Sequence, residues 1–374
     1  MRSPAARLGS TLITFVLAGC STAGPSAAPT TLPAATAAPT TLPTASAPAE
    51  SASVVETPGA SAASNPRVML VDTDVAGDDL VALAFLLSSP QVRLVGITIS
   101  GTGEAHCPGG VDVMLRLLDR LHAPDIPVTC GRESPLNGLH TFPDAWRQRV
   151  DQGSGLELAP AARAPSPSTA VELISALAAE HQSLTVLTLG PLTNLADALL
   201  SDPALAERLG PVFVMGGALH VPGNLVCCGA PEGNAVAEWN IYVDPHAANV
   251  VVESGITPSF VSLDGTNQVP LTREFAGRLI ESSESAAARL VAELFTANPF
   301  MTDGSFYLWD SLAAELAAGY PIGSFSPACI VVEEAEGPES GFTRPTCEAP
   351  NIGYLTTVDA AAAEDTLLGV LNGG

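Results

Sequence analysis

The sequence predicts an α/β domain: an open, mostly parallel sheet flanked by helices, with a Rossmann-like core. Two observations carry this. From residue 66 onward, short β-branched apolar runs alternate with segments of helical apolar period, the pattern of a parallel sheet covered on both faces. The first run, Val68-Met69-Leu70-Val71, ends in Asp72, Asp74, Asp78 and Asp79 and then opens into an apolar helical stretch. The acids therefore fall at the carboxyl end of a strand, where open α/β sheets place their ligands. With 374 residues, 47% of them apolar, the chain has material for one large core.

Taken in order, residues 1–20 read as a targeting segment. Arg2 and Arg7 supply its positive region and residues 11–17 a short apolar one, too short to remain as a spanning helix. It ends in Leu17-Ala18-Gly19-Cys20, which resembles a bacterial lipobox and would make Cys20 the lipidated first residue of an exported protein, anchored to the outer face of the cell membrane. Residues 21–65 are rich in Ala, Thr, Pro and Ser and nearly free of charge, the composition of a disordered tether. The folded domain is expected over residues 66–374. Within it, strands are predicted at residues 92–100, 184–189, 211–215 and 259–263. Helices are predicted from residue 78 to 88, at 111–121 and 169–180, from 194, and at 245–253, 272–282, 285–296 and 311–318. A shorter β-rich tail follows.

A net charge of −24 argues against nucleic acid or an anionic membrane surface as partner. Of seven cysteines, Cys20 is set aside by lipidation; loop positions suggest Cys107 with Cys130 and Cys329 with Cys347, and adjacent Cys227-Cys228 rarely bridge each other. Four carboxylates within eight positions repel one another, and a bound hard cation compensates them. Oxygen-only ligands suit Ca²⁺ or Mg²⁺. An acidic first helical turn would account for Asp78 and Asp79 but not for Asp72 and Asp74 on the strand.

Three separated segments now combine: Asp72-Thr73-Asp74-Val75-Ala76-Gly77-Asp78-Asp79, Leu189-Gly190-Pro191-Leu192-Thr193-Asn194-Leu195-Ala196, and Ala237-Glu238-Trp239-Asn240-Ile241-Tyr242-Val243-Asp244-Pro245. With Trp309-Asp310, their order and spacing resemble the nucleoside hydrolase family of inosine–uridine-preferring type. The resemblance implies a nucleoside hydrolase-like sheet fold, hydrolysis of ribonucleoside N-glycosidic bonds, and a Ca²⁺ cofactor. Carried over, Asp74, Asp79, Asp310 and the main-chain carbonyl of Leu189 would be metal ligands, with Asp74 also the general base. Asp78, Asn224, Glu238 and Asn240 would hold the ribose, with Asn234 a competing candidate for Asn224. Asp72 would buttress the loop. The substrate would be a small nucleoside; a homo-oligomer stays open.

The chain departs from the family pattern in three places. Val75-Ala76-Gly77 stands where well-known members have Pro-Gly. Thr102, in Ser100-Gly101-Thr102-Gly103-Glu104-Ala105-His106, stands where many carry a ribose-binding Asn. Trp309 stands where nonspecific members place a His as general acid. Trp-Asp at this point resembles the purine-specific members, which carry a second tryptophan in a segment like Phe142-Pro143-Asp144-Ala145-Trp146-Arg147. Stacking of a purine between Trp146 and Trp309 would raise its basicity so that solvent protonates it as it leaves. His106, His140 and His220 are candidate substitute acids. An Asp-x-Asp phosphatase of the haloacid dehalogenase type is rejected, because it predicts neither Glu238-Trp239-Asn240 nor Trp309-Asp310. A non-catalytic nucleoside-binding lipoprotein is the alternative reading.

Overall fold

The structure, a computed structural model, describes residues 65–225, 233–346 and 349–373. Cys20, the tether to residue 64, Cys227-Cys228 and Cys347 lie outside the described residues. No helix among the described residues is long and apolar enough to cross a membrane.

Twelve strands form along the described chain: β1 (Arg67–Thr73), β2 (Val92–Ile99), β3 (Val128–Cys130), β4 (Leu184–Thr188), β5 (Leu209–Met215), β6 (Ser259–Val261), β7 (Pro270–Thr272), β8 (Asp303–Tyr307), β9 (Gly323–Ala328), β10 (Ile330–Val332), β11 (Thr343–Pro345) and β12 (Ile352–Val358). The helices are α1 (Gly77–Ser88), α2 (Cys107–Arg120), α3 (Asp144–Asp151), α4 (Ala170–Glu180), α5 (Thr193–Ser201), α6 (Trp239–Val243), α7 (Pro245–Glu253), α8 (Leu263–Thr266), α9 (Arg273–Ser282), α10 (Ala286–Ala297), α11 (Trp309–Ala318) and α12 (Ala360–Leu371). Eight strands make one sheet in the order β3-β2-β1-β4-β5-β6-β12-β9. Its pairings are parallel except for β9, which runs antiparallel to β12 at the edge. The predicted fold class is the one observed.

Alternation along the strands divides the core. Met69 and Val71 of β1, Leu187 of β4 and Met215 of β5 face a layer that includes α1, α10, α11 and α12. Leu70, Val186 and Val214 face α4, α5 and α7 on the other side. Both faces being covered explains why the strands read as continuous apolar runs.

Helix starts follow local chemistry. Thr169 and Glu172 form a reciprocal capping box at α4, and Ser285 and Asp359 cap α10 and α12 through their side chains. The tail is less purely β than expected, since α12 closes the chain; its alanine run carries no polar alternation to announce it. Helix α2 begins at Cys107, earlier than the predicted 111, because Pro108 is favourable in a first turn while Gly109 and Gly110 disguise it. Cys107 and Cys130 are disulfide-bonded, as their loop positions suggested.

Strand order reverses between β1 and β4: successive strands run outward through β2 and β3 on one side and through β5 and β6 on the other. A crevice must open at that reversal, beyond the carboxyl ends of the two strands. The loops that leave them there are residues 74–76 and 189–192.

Candidate active site

Asp72, the last acid inside β1, is fully buried, and its Oδ1 accepts hydrogen bonds from Thr98 (2.6 Å) and Asn194 (2.7 Å). It ties β1 to β2 and α5 and does not reach the cavity described below. After Thr73 the chain turns sharply. Val75 adopts φ +67°, a left-handed conformation that a β-branched residue enters at a cost of about 1–3 kcal/mol. A small network holds the turn: the Thr73 hydroxyl donates to Asp79 Oδ1, while the backbone N–H groups of Asp74 and Val75 donate to Asp79 Oδ1 (3.2 Å) and Thr73 Oγ1 (3.1 Å). Helix α1 then starts at Gly77, placing Asp78 and Asp79 in its first turn, where the helix dipole favours negative charge. Thus Val75-Ala76-Gly77, with its shifted glycine, is accommodated by a strained valine.

Asp74 is wedged between two glycines. A Cβ on Gly103 would come within 2.2 Å of the Asp74 side chain, and one on Gly190 within 2.9 Å. No larger residue fits at either position without moving the carboxylate. Asp74 Oδ2 accepts the backbone N–H of Glu104 at 3.0 Å.

From the far end of the chain, β8 and the start of α11 bring Trp309 and Asp310 to the same place. One carboxylate oxygen from each of Asp78, Asp79 and Asp310 lies within 4.8 Å of the others. The trio differs from the expected ligand set in one member: Asp78, assigned to ribose, stands in it, and Asp74 sits beside it. The Leu189 carbonyl also faces the site, where the Asn240 amide donates to it at 2.8 Å. Asn240 is held in turn by Glu238, whose carboxylate caps α6 by accepting the N–H groups of Asn240 (3.0 Å), Ile241 (3.2 Å) and Gly217 (3.1 Å).

These groups line a cavity of about 1030 Å³. Among the described residues six carboxylic residues border it (Asp74, Asp78, Asp79, Glu104, Glu238 and Asp310) against Arg149 as the one cationic side chain in the lining. Burial first, and then the neighbouring acids, push Asp78 up to about 7 and Glu104 up to about 8. The same causes, Asp79 foremost among the neighbours, hold Asp74 well above the usual carboxylate range; for Asp310 the neighbours are Asp78 and then Asp79. Converging buried oxygen donors with no ammonium or guanidinium among them fit a hard divalent cation. No histidine or cysteine side chain joins these oxygens in the lining among the described residues.

The rest of the wall is aromatic. Phe142 stacks on Trp239 at 4.8 Å, and Trp146 tilts against Trp239 at 5.4 Å. Separately, Trp309 packs against Phe306 (5.3 Å) and Tyr307 (5.8 Å). Both groups line the one cavity, and no ring contact joins Trp146 to Trp309 among the described residues. Trp239 was read only as part of a motif, and its place in the wall was missed.

The remaining candidates separate clearly. Asn224 lines the cavity and accepts the Trp239 N–H at 3.0 Å. Asn234 is buried elsewhere, donating to Ser340 O and accepting from Val236 and Ala237. Thr102 is 2% exposed and absent from the lining; its hydroxyl meets Ser100 (3.1 Å) and Thr193 (3.0 Å). Among the described residues no histidine lines the cavity: His106 pairs with Asp151 and His140 with Glu336 and the Tyr242 carbonyl. Glu104, two residues beyond Thr102, is a lining residue that sequence reasoning passed over, although the flanking Gly103 signalled a close approach.

An α/β sheet with an acid cluster at its switch point and an aromatic-walled cavity defines a class: an open α/β protein with a small-molecule site beyond the strand ends. Residues 69–365 match the family described as inosine-uridine preferring nucleoside hydrolase, and the chain belongs to that family. It is 35% identical over 207 residues to the pyrimidine-specific ribonucleoside hydrolase RihA of Klebsiella pneumoniae subsp. pneumoniae, an alignment spanning 54% of this chain and 62% of that relative. Its fold is similar to a plant nucleoside hydrolase, PpNRh1 (TM-score 0.72, 26% identity, 82% of this chain and 99% of that one). It is also similar to a purine-preferring ribonucleoside hydrolase from Gardnerella vaginalis (TM-score 0.70, 25% identity, 82% and 98%).

Proposed function

We propose that this chain hydrolyses the N-glycosidic bond of ribonucleosides, purine nucleosides preferentially, with Ca²⁺ held by Asp78, Asp79, Asp310, Asp74 and the Leu189 carbonyl. The observation that carries the reading is the convergence of the Asp78, Asp79 and Asp310 oxygens beside Asp74 in an aromatic-walled cavity. When bound, the cation would polarise water and offer oxygen-coordination positions to sugar hydroxyls. Asp74 acts as general base: fixed between Gly103 and Gly190, it receives the proton of the attacking water. The water oxygen bonds to C1′ through an oxocarbenium-like state, the C1′–N bond breaks, and its electron pair leaves on the base. Glu238, Asn240 and Asn224 orient the sugar.

Purine preference rests on this chain's own wall. With no histidine in the lining to protonate the departing base, flat aromatic faces at Trp146, Trp239 and Trp309 would stabilise a purine that takes its proton from solvent. The relative named pyrimidine-specific makes this the part to test hardest. Export and anchoring through Cys20, with the tether as spacer, complete the proposal and place the reaction at the outer face of a bacterial membrane.

The test is release of free base from inosine, adenosine, guanosine, uridine and cytidine, with calcium and with chelator. Chelator-sensitive hydrolysis favouring purines is expected. Equal or greater rates on uridine and cytidine would overturn the preference, and nucleoside binding without turnover would turn the protein into a binding lipoprotein.

A further inference from the structure

We propose that Glu104 is a sugar-recognition residue, a carboxylate that accepts a hydrogen bond from a ribose hydroxyl in place of the contact expected from Thr102. The inference rests on the hydrolase reading above and adds a residue to its site.

Three observations carry it. First, Thr102 is spent: its hydroxyl is buried against Ser100 and Thr193 and takes no part in the cavity wall. Glu104 is the acidic member of the same loop that does line the cavity. Second, the loop is built to hold it still. The Glu104 N–H is fixed on Asp74 Oδ2, Gly103 N–H donates to Ser100 O at 2.9 Å, and Arg147, itself 7% exposed, donates from Nη2 to the carbonyls of Gly101 (2.6 Å) and Ala105 (3.1 Å). The Cys107–Cys130 disulfide closes the loop's exit. A glutamate kept for solubility needs none of this, since such residues sit on mobile, solvated surfaces.

Third, position selects the ligand group. Glu104 lines the cavity together with Asp78 and Asp79, and its N–H lies 3.0 Å from Asp74 Oδ2, at the acidic end of the site. Its backbone shares the Asp74 carboxylate with that end. Among the described residues Glu104 forms no ion pair, and the natural donors for it are hydroxyls of a sugar. Anchoring a ribose hydroxyl on a fixed carboxylate would make the site discriminate ribosides from the deoxyriboside lacking that hydroxyl.

The experiment is a cycle between protein and substrate. Wild type, Glu104→Gln and Glu104→Ala are assayed on inosine and on its 2′-deoxy, 3′-deoxy and 5′-deoxy forms, with calcium affinity measured separately by titration calorimetry. The substitutions are expected to lower kcat/KM on inosine roughly 10- to 100-fold, as for loss of a hydrogen bond to a charged group. That loss should shrink to within about threefold on one deoxy substrate. Calcium affinity should stay within about threefold of wild type. Equal losses on all four substrates would overturn the proposal, and so would a parallel loss of calcium affinity, which would assign Glu104 to the metal. If wild type releases base from none of them, the hydrolase reading fails by itself. The same cycle run on dissociation constants then decides whether Glu104 reads a hydroxyl.

Discussion

Asp310→Asn separates a metal site from a mere acidic patch, because the two predict opposite effects on the metal-free protein. The carboxylate oxygens of Asp78, Asp79 and Asp310 lie within 4.8 Å of one another. Two unit charges at that distance, at an effective dielectric of about 20, repel by about 3.5 kcal/mol. A carboxyl can escape by keeping its proton, but at pH 7 that costs a group of ordinary pKa about 4 kcal/mol. By either route the third acid costs the metal-free fold roughly 3–4 kcal/mol. An asparagine of the same shape removes the cost. In chelator the variant should therefore melt higher than wild type, by roughly 5 °C or more for a domain of this size. Calcium reverses the order of benefit: at a hundredfold excess over Kd wild type gains about 2.7 kcal/mol, whereas the variant, short of a ligand, gains little. The assay is calorimetric melting of both proteins in chelator and across a calcium titration. A variant that melts lower than wild type in chelator, or that gains as much from calcium, would refute the reasoning.

Three further outcomes follow from the same structure. Trp309→Ala should lower kcat on purine nucleosides by about tenfold or more with a smaller change in KM, and a loss confined to KM would reduce the ring to a binding surface. Arg147→Ala strands the buried carbonyls of Gly101 and Ala105, which should cost roughly 1–3 kcal/mol each and lower kcat, whereas Arg147→Lys should recover part of both; identical behaviour of the two variants would sink the clamp. Glu315, fully buried in α11 with neither carboxylate oxygen bonded among the described residues, is pushed by burial well above the usual carboxylate range. The folded form holds this proton more tightly than the unfolded chain, which gives it up above about pH 4.5, so the acid lowers stability as pH rises from there. Glu315→Met should raise Tm at pH 7–8 far more than at pH 4–5, and an equal rise at both would contradict this.

Much of this architecture was legible because strands buried on both faces must be apolar throughout and must end in loops. That rule placed β1, β2, β4, β5 and β6 and put the acids of residues 72–79 at the carboxyl end of a buried strand. The Cys107–Cys130 bond was legible for the same reason, both cysteines falling where elements end. Convergence was another matter: the family resemblance implied it for Asp79 and Asp310, while spacing alone could not show it, nor that Asp78 joins them. Asp78 and Asp79 are neighbours on a helical turn, and both meet Asp310 only because α11 packs against α1. The pairing of Trp239 with Trp146 and Phe142 is likewise a tertiary event between α6 and α3. Glu104 was hidden by the expectation attached to Thr102. Positional matching cannot see a hydroxyl that has turned inward.

The acid trio also bears on how the chain matures. Asp78 and Asp79 come from the first helix and Asp310 from the second-last, with most of the sheet threaded between them. No fragment of the chain that ends before α11 can present the three oxygens together, so on the proposed metal reading divalent ion capture waits until α11 has docked on α1. Until then the same carboxylates push the forming halves apart. On that reading the ion would act as a checkpoint, rewarding only the completed site, and its concentration in the surroundings would set how firmly finished molecules are retained over partly assembled ones.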